Sequence, residues 1–162
     1  MTVKDLFDLT GKVAIVTGGS RGLGKEMVLA FAEQGADVVI ASRKLDGCQA
    51  VAEEVTARFG RRALPVACHV GRWEDVDQLV ATAYEHFGKV DILVNNAGLS
   101  PVYGDANSNV IEELWDKVQA VNLKGPFRLT ALVGERMIAD GGGAILNIST
   151  TGAILPVAGG PQ

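Results

Sequence analysis

The chain has 162 residues, a mass of 17.0 kDa and a net charge of −4 from 15 basic and 19 acidic side chains. Hydrophobic residues make up 48% and charged residues 21%, which excludes the low-hydrophobicity, high-charge composition of disordered chains. The acidic balance provides no basic surface for a nucleic-acid backbone or an anionic membrane, so we expect neither as a partner.

The N-terminal residues and the two cysteines indicate the compartment. The first ten residues contain three charged side chains and no apolar core of a signal peptide. No stretch approaches the roughly 18 apolar residues that a membrane span requires. Cys48 and Cys68 form no CxxC pair, so we expect reduced structural thiols and no metal site. These features together predict a cytoplasmic protein.

Short apolar, β-branched runs alternate with longer amphipathic stretches along the whole chain, which is typical of repeated βα units around a parallel sheet. Five strands are predicted, at residues 12–17, 37–41, 63–68, 90–95 and 144–148, because each run is too uniformly apolar for a half-exposed antiparallel sheet. Helices are predicted at 25–34, at 74–87 and over a long region at 109–139. Glycines that favour a left-handed cap follow three successive helix ends, at Gly35, Gly60 and Gly88.

A glycine-rich turn follows the first predicted strand and reads Thr-Gly-Gly-Ser-Arg-Gly-Leu-Gly at 17–24. A strand that leads through glycines into a helix exposes backbone N–H groups and the positive helix end to a phosphate. The missing Cβ atoms let a pyrophosphate come close. Residues 19–25 also spell GxxxxGK, the beginning of a nucleoside-triphosphate loop. That loop needs a Ser or Thr after the lysine to hold Mg²⁺, and Glu26 occupies this position, which disfavours a phosphate-loop nucleotidase.

Three motifs in order resemble the short-chain dehydrogenase/reductase family. They are TGxxxGxG at 17–24, Asn-Asn-Ala-Gly at 95–98 and Ala-Ile-Leu-Asn-Ile-Ser at 144–149, and the resemblance extends from about Leu9 to Gln162. It implies an α/β fold with a doubly wound, Rossmann-type parallel sheet and helices on both faces. It also implies one dinucleotide-binding domain over residues 1–162, with the C-terminal part missing, and hydride transfer between a nicotinamide cofactor and an alcohol or carbonyl substrate.

The predicted cofactor site lies beyond the carboxyl ends of the first and fourth strands, where ligands bind at the switch point of such a sheet. After the third strand the family usually has an aspartate and a small apolar residue, whereas this chain has His69 and Val70, so we expect only a weak adenine contact from His69. A plain structural turn is the alternative for Asn-Asn-Ala-Gly. The predicted cofactor-binding residues are Gly18, Ser20, Arg21, Gly22, Leu23, Gly24, Ser42, Arg43, His69, Val70, Asn96, Ala97 and Gly98.

The end of the second strand indicates which cofactor is bound. A carboxylate there would accept hydrogen bonds from an NAD ribose, whereas a base tolerates a 2′-phosphate. The segment reads Ala-Ser-Arg-Lys at 41–44 and has no acid. Arg43 offers a bidentate phosphate contact, and Arg21 in the glycine turn directs a second cation to the same region. We therefore predict a preference for NADP(H) over NAD(H). Solvated surface arginines are the alternative interpretation.

The resemblance implies a tyrosine acid/base with a lysine four residues later, a hydroxyl residue after the fifth strand and an asparagine in the long helix. The lysine is needed because the pKa of a phenol is about 10, and an adjacent cation lowers this pKa toward the working pH so that the tyrosine can transfer a proton. Asn122 matches the asparagine, whose amide would hold a water of the proton relay; a solvent-facing helical residue is the alternative. Ser149 fits the Ser-x-x-Gly spacing to Gly152, whereas the count from Asn122 favours Thr150, so both stay candidates.

No tyrosine in the sequence has a lysine four residues later, since Gly88 follows Tyr84 and Asn107 follows Tyr103 at that spacing. If Ser149 is the hydroxyl residue, the family's spacing places the tyrosine at Gln162. If Thr150 is the hydroxyl residue, the same spacing places the tyrosine at the position after Gln162. We therefore expect these residues to be part of a longer chain, which by resemblance acts on a small alcohol or carbonyl compound as a homodimer or homotetramer. The alternative is a catalytically silent nucleotide-binding domain that cannot transfer hydride.

Overall fold

The computed structural model describes residues 6–100 and 110–150. In these ranges the strands are β1 (Val13–Thr17), β2 (Asp37–Ser42), β3 (Ala63–Ala67), β4 (Ile92–Asn95) and β5 (Ala144–Asn147). The helices are α1 (Gly22–Glu33), α2 (Leu45–Phe59), α3 (Trp73–Phe87), α4 (Glu112–Gln119) and α5 (Gly125–Ala139), and a π-helical segment at Ala120–Lys124 joins α4 to α5. Tyr103, Gly152, Gln162 and the predicted helix start at 109 lie outside the described residues.

The five strands form one sheet in the order β3-β2-β1-β4-β5, and every neighbouring pair is parallel. The order reverses between β1 and β4, which pair with Val16 opposite Val94. The predicted doubly wound parallel sheet is therefore confirmed, and the switch point lies between the two strands that precede the glycine turn and the Asn-Asn-Ala-Gly turn. A ligand is expected at this edge.

Alternate residues of the strands pack against helices on opposite faces. Val13 and Ile15 of β1 belong to a core with α3 and α5, whereas Ala14 and Val16 belong to a second core with α1 and α2. This arrangement confirms the predicted helices on both faces. β1 is buried over its whole length, but β3 and β5, at the two edges of the described sheet, are partly exposed. Uniform apolar composition therefore predicted the strands but not which of them lie inside.

Glycines end the helices as predicted. Gly60 and Gly88 follow α2 and α3 with φ of 63° and 77°, in the left-handed region that side chains disfavour. The long helical region is interrupted, because Pro126 lacks the N–H that would pair with the carbonyl of Asn122 in a regular α-helix. The N–H of Gly125 instead reaches back five residues to the carbonyl of Ala120. The π-helical segment thus places a local bulge at Asn122.

Residues 6–100 and 110–150 include no helix that is long and apolar enough to cross a membrane. Cys48 and Cys68 are both free and buried. Burial, reinforced by Asp75 and Cys48, raises the pKa of the Cys68 thiol to about 12, so this thiol stays protonated at neutral pH. The cytoplasmic location stays a prediction of the sequence.

Candidate nucleotide-binding site

The glycine turn connects β1 to α1 with no room for side chains at two positions. A Cβ atom on Gly24 would lie 2.2 Å from the carbonyl oxygen of Gly18, and one on Gly18 would lie 2.9 Å from Nδ2 of Asn96. Gly18 also has a φ of 66°, in the left-handed region. The N–H of Gly19 donates to the carbonyl of Ala41 at 3.2 Å and holds the turn against β2. The first turn of α1 therefore approaches the strand end closely.

The N-terminus of α1 has neither a side-chain cap nor an acidic residue in its first turn. The first backbone N–H groups of a helix have no partner within the helix, and they normally bind a capping side chain, water or an anion. Here the helix starts at Gly22 and includes Gly24, it follows the glycine turn directly, and Arg21 and Leu23 are exposed. This combination suits a phosphate group.

The hydroxyl of Thr17 joins the Asn-Asn-Ala-Gly turn to the glycine turn. Its Oγ1 donates to the carbonyl of Val94 at 3.2 Å and accepts from the N–H groups of Asn96 and Ala97, each at 3.0 Å. The Asn96 side chain donates from Nδ2 to the carbonyl of Thr17 at 2.9 Å. Asn96 therefore braces the two turns against each other. The sequence analysis included Thr17 in the TGxxxGxG motif but assigned it no role in the site, although its hydroxyl at the last position of β1 was the available signal.

The end of β2 also contacts the glycine turn. Ser20 donates from Oγ to Oγ of Ser42 at 2.9 Å, so the turn, β1 and β2 form one connected rim. Arg43 follows at the surface, and no ion pair engages it within the part of the chain that the structure describes. The structure thus brings Ser20, Ser42 and Arg43 to one end of the sheet.

His69 and Val70 follow β3 and differ in their surroundings. Val70 is 7% exposed and packs under α5, where a Cβ atom on Gly125 would lie 2.4 Å from the Val70 carbonyl oxygen. The N–H of His69 donates to Oδ2 of Asp75 at 2.9 Å, and Nδ1 of His69 accepts from the N–H of Gly71 at 3.2 Å. His69 therefore organises the turn that leads into α3.

An open depression of about 550 Å³ lies beside this turn. Its walls include Arg43, Cys68, His69, Arg72, Glu74 and Asp75. Arg72 was missed at the sequence level because it lies outside all three motifs. The depression connects the residues that follow β2 with those that follow β3, on the same edge as the glycine turn.

Asn122 is hydrogen-bonded through its whole amide. Oδ1 accepts from the N–H of Leu99 at 2.8 Å, and Nδ2 donates to the Leu99 carbonyl at 2.8 Å. The side chain is therefore engaged by the residue directly after the Asn-Asn-Ala-Gly turn and is not merely solvent-facing. A Cβ atom on Gly98 would lie 3.8 Å from Oδ1 of Asn122. The bulge in the long helix thus reaches the candidate site.

Ser149 and Thr150 follow β5 and are both exposed. They leave the sheet next to β4, because the N–H of Ile148 donates to the carbonyl of Asn95 at 3.0 Å. The Asn95 side chain donates from Nδ2 to Oδ1 of Asn147 at 2.9 Å and to Oγ1 of Thr130 at 3.2 Å. This pair of amides fixes the strand ends from which the two hydroxyl residues emerge.

Comparison with known proteins agrees with this geometry. Residues 12–162 match the model of the short chain dehydrogenase family. The chain belongs to the short-chain dehydrogenase/reductase family. It is 38% identical to the human protein called dehydrogenase/reductase SDR family member 4, over 98% of this chain and 56% of that protein. It is also 35% identical to an NAD-dependent glycerol dehydrogenase of Listeria innocua, over 92% of this chain and 56% of that protein.

Among solved structures, L-sorbose reductase from Gluconobacter frateurii, in complex with NADPH and L-sorbose, superposes with a TM-score of 0.91 at 34% identity. The match covers 96% of this chain and 58% of that one. The chain therefore spans a little more than half the length of these relatives. Their names include both an NAD-dependent enzyme and an NADPH complex, so membership of the family does not choose between the two cofactors.

Proposed function

We propose that this chain forms the cofactor-binding part of an oxidoreductase that transfers hydride between NADP(H) and an alcohol or carbonyl compound. The observation that carries the proposal is the cradle at the switch point, where Gly18 and Gly24 leave no space for a Cβ atom beside an uncapped helix start. Such a cradle lets a pyrophosphate contact backbone N–H groups directly. The residues present therefore fit a dinucleotide.

Each part of the dinucleotide has candidate partners at this edge of the sheet. Within the glycine turn at 18–24, the N–H groups at the uncapped start of α1 would hold the pyrophosphate. Asn96, Ala97 and Gly98 offer small residues and backbone against the adenosine part. Val70 would contribute its backbone, and His69 would line the adenine region. When bound, the cofactor supplies the hydride acceptor or donor; the chain supplies binding, orientation and hydrogen bonds.

The preference for NADP(H) rests on charge. Arg43 directly follows β2, and no acid occurs at 41–44. Arg21 follows Ser20, whose hydroxyl is hydrogen-bonded to Ser42 and so joins the glycine turn to the end of β2. A guanidinium binds a phosphate through two parallel N–H donors, whereas a carboxylate at this place would repel it. The named relatives include users of either cofactor, so these residues of the chain itself are the support for the preference.

Asn122 and the hydroxyl of Ser149 or Thr150 are the proposed contributors to catalysis. A hydroxyl donor after β5 would stabilise negative charge on the substrate oxygen as it develops. Asn122, already fixed to Leu99, has one further N–H and one further lone pair with which to hold a water for proton transfer. Asn95 and Asn147 would act as positioning residues for the hydroxyl.

A second candidate function is dinucleotide binding without hydride transfer. The 162 residues include no tyrosine followed four residues later by lysine, so this candidate concerns the residues given and not the whole protein. An assay of NADPH oxidation by this chain with small ketones and aldehydes, together with an NADPH binding titration, separates the two. Binding without turnover supports the second candidate for the chain as given.

The cofactor preference is tested by measuring dissociation constants for NADPH and NADH with the purified chain. We expect NADPH to bind more tightly. Arg43→Ala should weaken NADPH binding by about 1.5–3 kcal/mol, and leave NADH unchanged, because a charge-assisted contact is lost. Arg58→Ala is the matched control, since Arg58 pairs with Glu54 near the opposite end of α2. Tighter binding of NADH, or an unchanged NADPH constant for Arg43→Ala, would refute the preference.

Homo-oligomeric assembly is also a proposal. Exposed apolar side chains in α4, in the π-helical segment and in α5 support it: Trp115 is 55% exposed, Leu123 61% and Phe127 64%. Large exposed apolar residues that follow one another along a helical region are typical of surfaces that bind another protein. Light scattering after size-exclusion chromatography tests the assembly, and a monomer at micromolar concentration would contradict it.

A further inference from the structure

We propose that Arg72 binds the 2′-phosphate of NADP(H) together with Arg43, so that arginines after two neighbouring strands recognise the phosphorylated cofactor. The inference rests on the proposed function, and it adds a specificity residue that lies outside the motifs. It is carried by the distribution of unpaired arginines, by the shared depression and by the fixed turn that precedes Arg72.

The sequence has eight arginines, all of them in the described ranges. Five have an ion pair or an aromatic partner: Arg58, Arg61, Arg62, Arg128 and Arg136. Arg21, Arg43 and Arg72 have neither kind of partner among residues 6–100 and 110–150. These three follow β1, β2 and β3 in turn, at the edge where the cofactor is proposed to bind. A guanidinium without a carboxylate partner keeps its donors available for an incoming anion.

The backbone brings Arg43 and Arg72 to the same place. β2 and β3 pair in parallel with Ser42 opposite Ala67, and the N–H of Cys68 donates to the Ser42 carbonyl at 2.9 Å. The two segments that leave these strands therefore start about 4.8 Å apart, the ordinary spacing of neighbouring strands. Arg43 and Arg72 both line the depression of about 550 Å³.

The turn before Arg72 is held by its own hydrogen bonds. The N–H of Arg72 donates to the His69 carbonyl at 2.8 Å, and the N–H of Gly71 donates to Nδ1 of His69 at 3.2 Å. Asp75 fixes the N–H of His69, and the N–H of Val76 donates to the Arg72 carbonyl at 3.1 Å. Arg72 therefore extends from a fixed backbone, which lowers the entropy that binding an anion would cost.

Two acids share the depression, and they make the proposal more specific. Asp75 uses Oδ2 to accept from the N–H of His69, so it is committed to the turn. Glu74 is exposed and has no ion pair in the described part of the chain, so its carboxylate opposes a bound phosphate. If the depression binds the 2′-phosphate, neutralising Glu74 and neutralising Arg72 must change the affinity in opposite directions.

Two nucleotide probes test the proposal with the 162-residue chain and without any catalytic step. Isothermal titration calorimetry compares adenosine 2′,5′-bisphosphate with adenosine 5′-monophosphate, which lacks the 2′-phosphate. Arg72→Gln should weaken binding of the bisphosphate about threefold to tenfold and should change the affinity for the monophosphate by less than about twofold. Arg72→Lys should retain part of the affinity for the bisphosphate, and Glu74→Gln should increase that affinity about twofold. Arg58→Gln is the control and should change neither probe.

Each outcome has one meaning. If the wild-type chain binds both probes equally, the NADP(H) preference and the role of Arg72 fail together. If the wild type prefers the bisphosphate and Arg72→Gln keeps the whole preference, the preference stands and the role of Arg72 is wrong. Equal weakening of both probes by Arg72→Gln also overturns the proposal, because Arg72 would then not distinguish the phosphate. Thermal unfolding of each variant shows that it is folded.

Discussion

Gly24→Ala is the most direct test of the cradle between the glycine turn and the Asn-Asn-Ala-Gly turn. The new Cβ atom would lie 2.2 Å from the carbonyl oxygen of Gly18 and 2.5 Å from Nδ2 of Asn96, whereas ordinary van der Waals contact is 3.4–4 Å. The Gly18 oxygen belongs to the backbone and cannot rotate away. The start of α1 must therefore move away from the end of β1, and the Asn96 side chain must also shift.

Two opposing effects determine the magnitude. Overpacking of this kind typically costs about 1–3 kcal/mol. Replacing glycine by alanine within a helix contributes up to about 1 kcal/mol in the other direction. Gly134→Ala in α5 is the matched control, because its Cβ atom would meet only Cδ1 of Ile145, at 3.7 Å. The helix-propensity gain is common to both variants, so we expect Gly24→Ala to be less stable than Gly134→Ala by about 1–3 kcal/mol, the cost of overpacking.

Urea unfolding followed by far-UV circular dichroism measures this difference, and an NADPH fluorescence titration measures the site. Gly24→Ala should bind NADPH at least tenfold more weakly, because displaced N–H groups no longer converge on one phosphate. Gly134→Ala should bind it as the wild type does. If the two variants are equally stable, the steric reasoning is wrong; if Gly24→Ala is destabilised but binds NADPH normally, the assignment of the cradle to the pyrophosphate is wrong.

Two further predictions concern buried polar groups. Thr17→Val should lower the free energy of unfolding, measured in urea, by about 1–3 kcal/mol, because the N–H groups of Asn96 and Ala97 lose their acceptor. Thr17→Ser keeps a hydroxyl and should retain most of the wild-type stability. A loss below about 0.5 kcal/mol for Thr17→Val would contradict this role of the hydroxyl. Burial raises the pKa of Asp37, but hydrogen bonds to Arg62 and the charges of Arg61 and Arg62 outweigh burial and hold that pKa below its ordinary value. The resulting stabilisation is present above the unfolded pKa of about 4 and is lost as the pH falls through the lower folded pKa. Asp37→Asn should therefore be less stable than the wild type at neutral pH, and it should lose less stability between neutral pH and pH 3. Parallel curves of stability against pH for Asp37→Asn and the wild type would contradict the assignment.

The succession of strands and helices could be predicted from the sequence because it depends on local properties. Apolar runs of five or six residues gave all five strands to within two residues, and the predicted caps at Gly60 and Gly88 have left-handed φ values. The glycine turn was recognisable for the same reason, since the requirement for glycine arises within a few residues of the chain. The edge positions of β3 and β5 were not predictable from their composition, because burial depends on which strands become neighbours.

The site depends on contacts between distant segments. Thr17 contacts Asn96 and Ala97 across the sheet, and Asn122, in the π-helical segment before Pro126, contacts Leu99. The proline was visible in the sequence, but its consequence was missed, since a helix interruption does not by itself show what the displaced residue will contact. Arg72 was equally visible and had no motif to mark it.

The sequence by itself determined the order of the elements, the glycine turn that needs no side chain and the resemblance to a family. These features follow from hydrophobic periodicity and backbone sterics, which act over a few residues. The resemblance already placed the first and fourth strands at the switch point, but only the tertiary structure showed the contacts there, such as the hydrogen bond from the N–H of Ala97 to Thr17, eighty residues earlier in the chain. The tertiary structure also showed that Arg43 and Arg72, 29 residues apart in the sequence, line one depression, because the strands that precede them are paired.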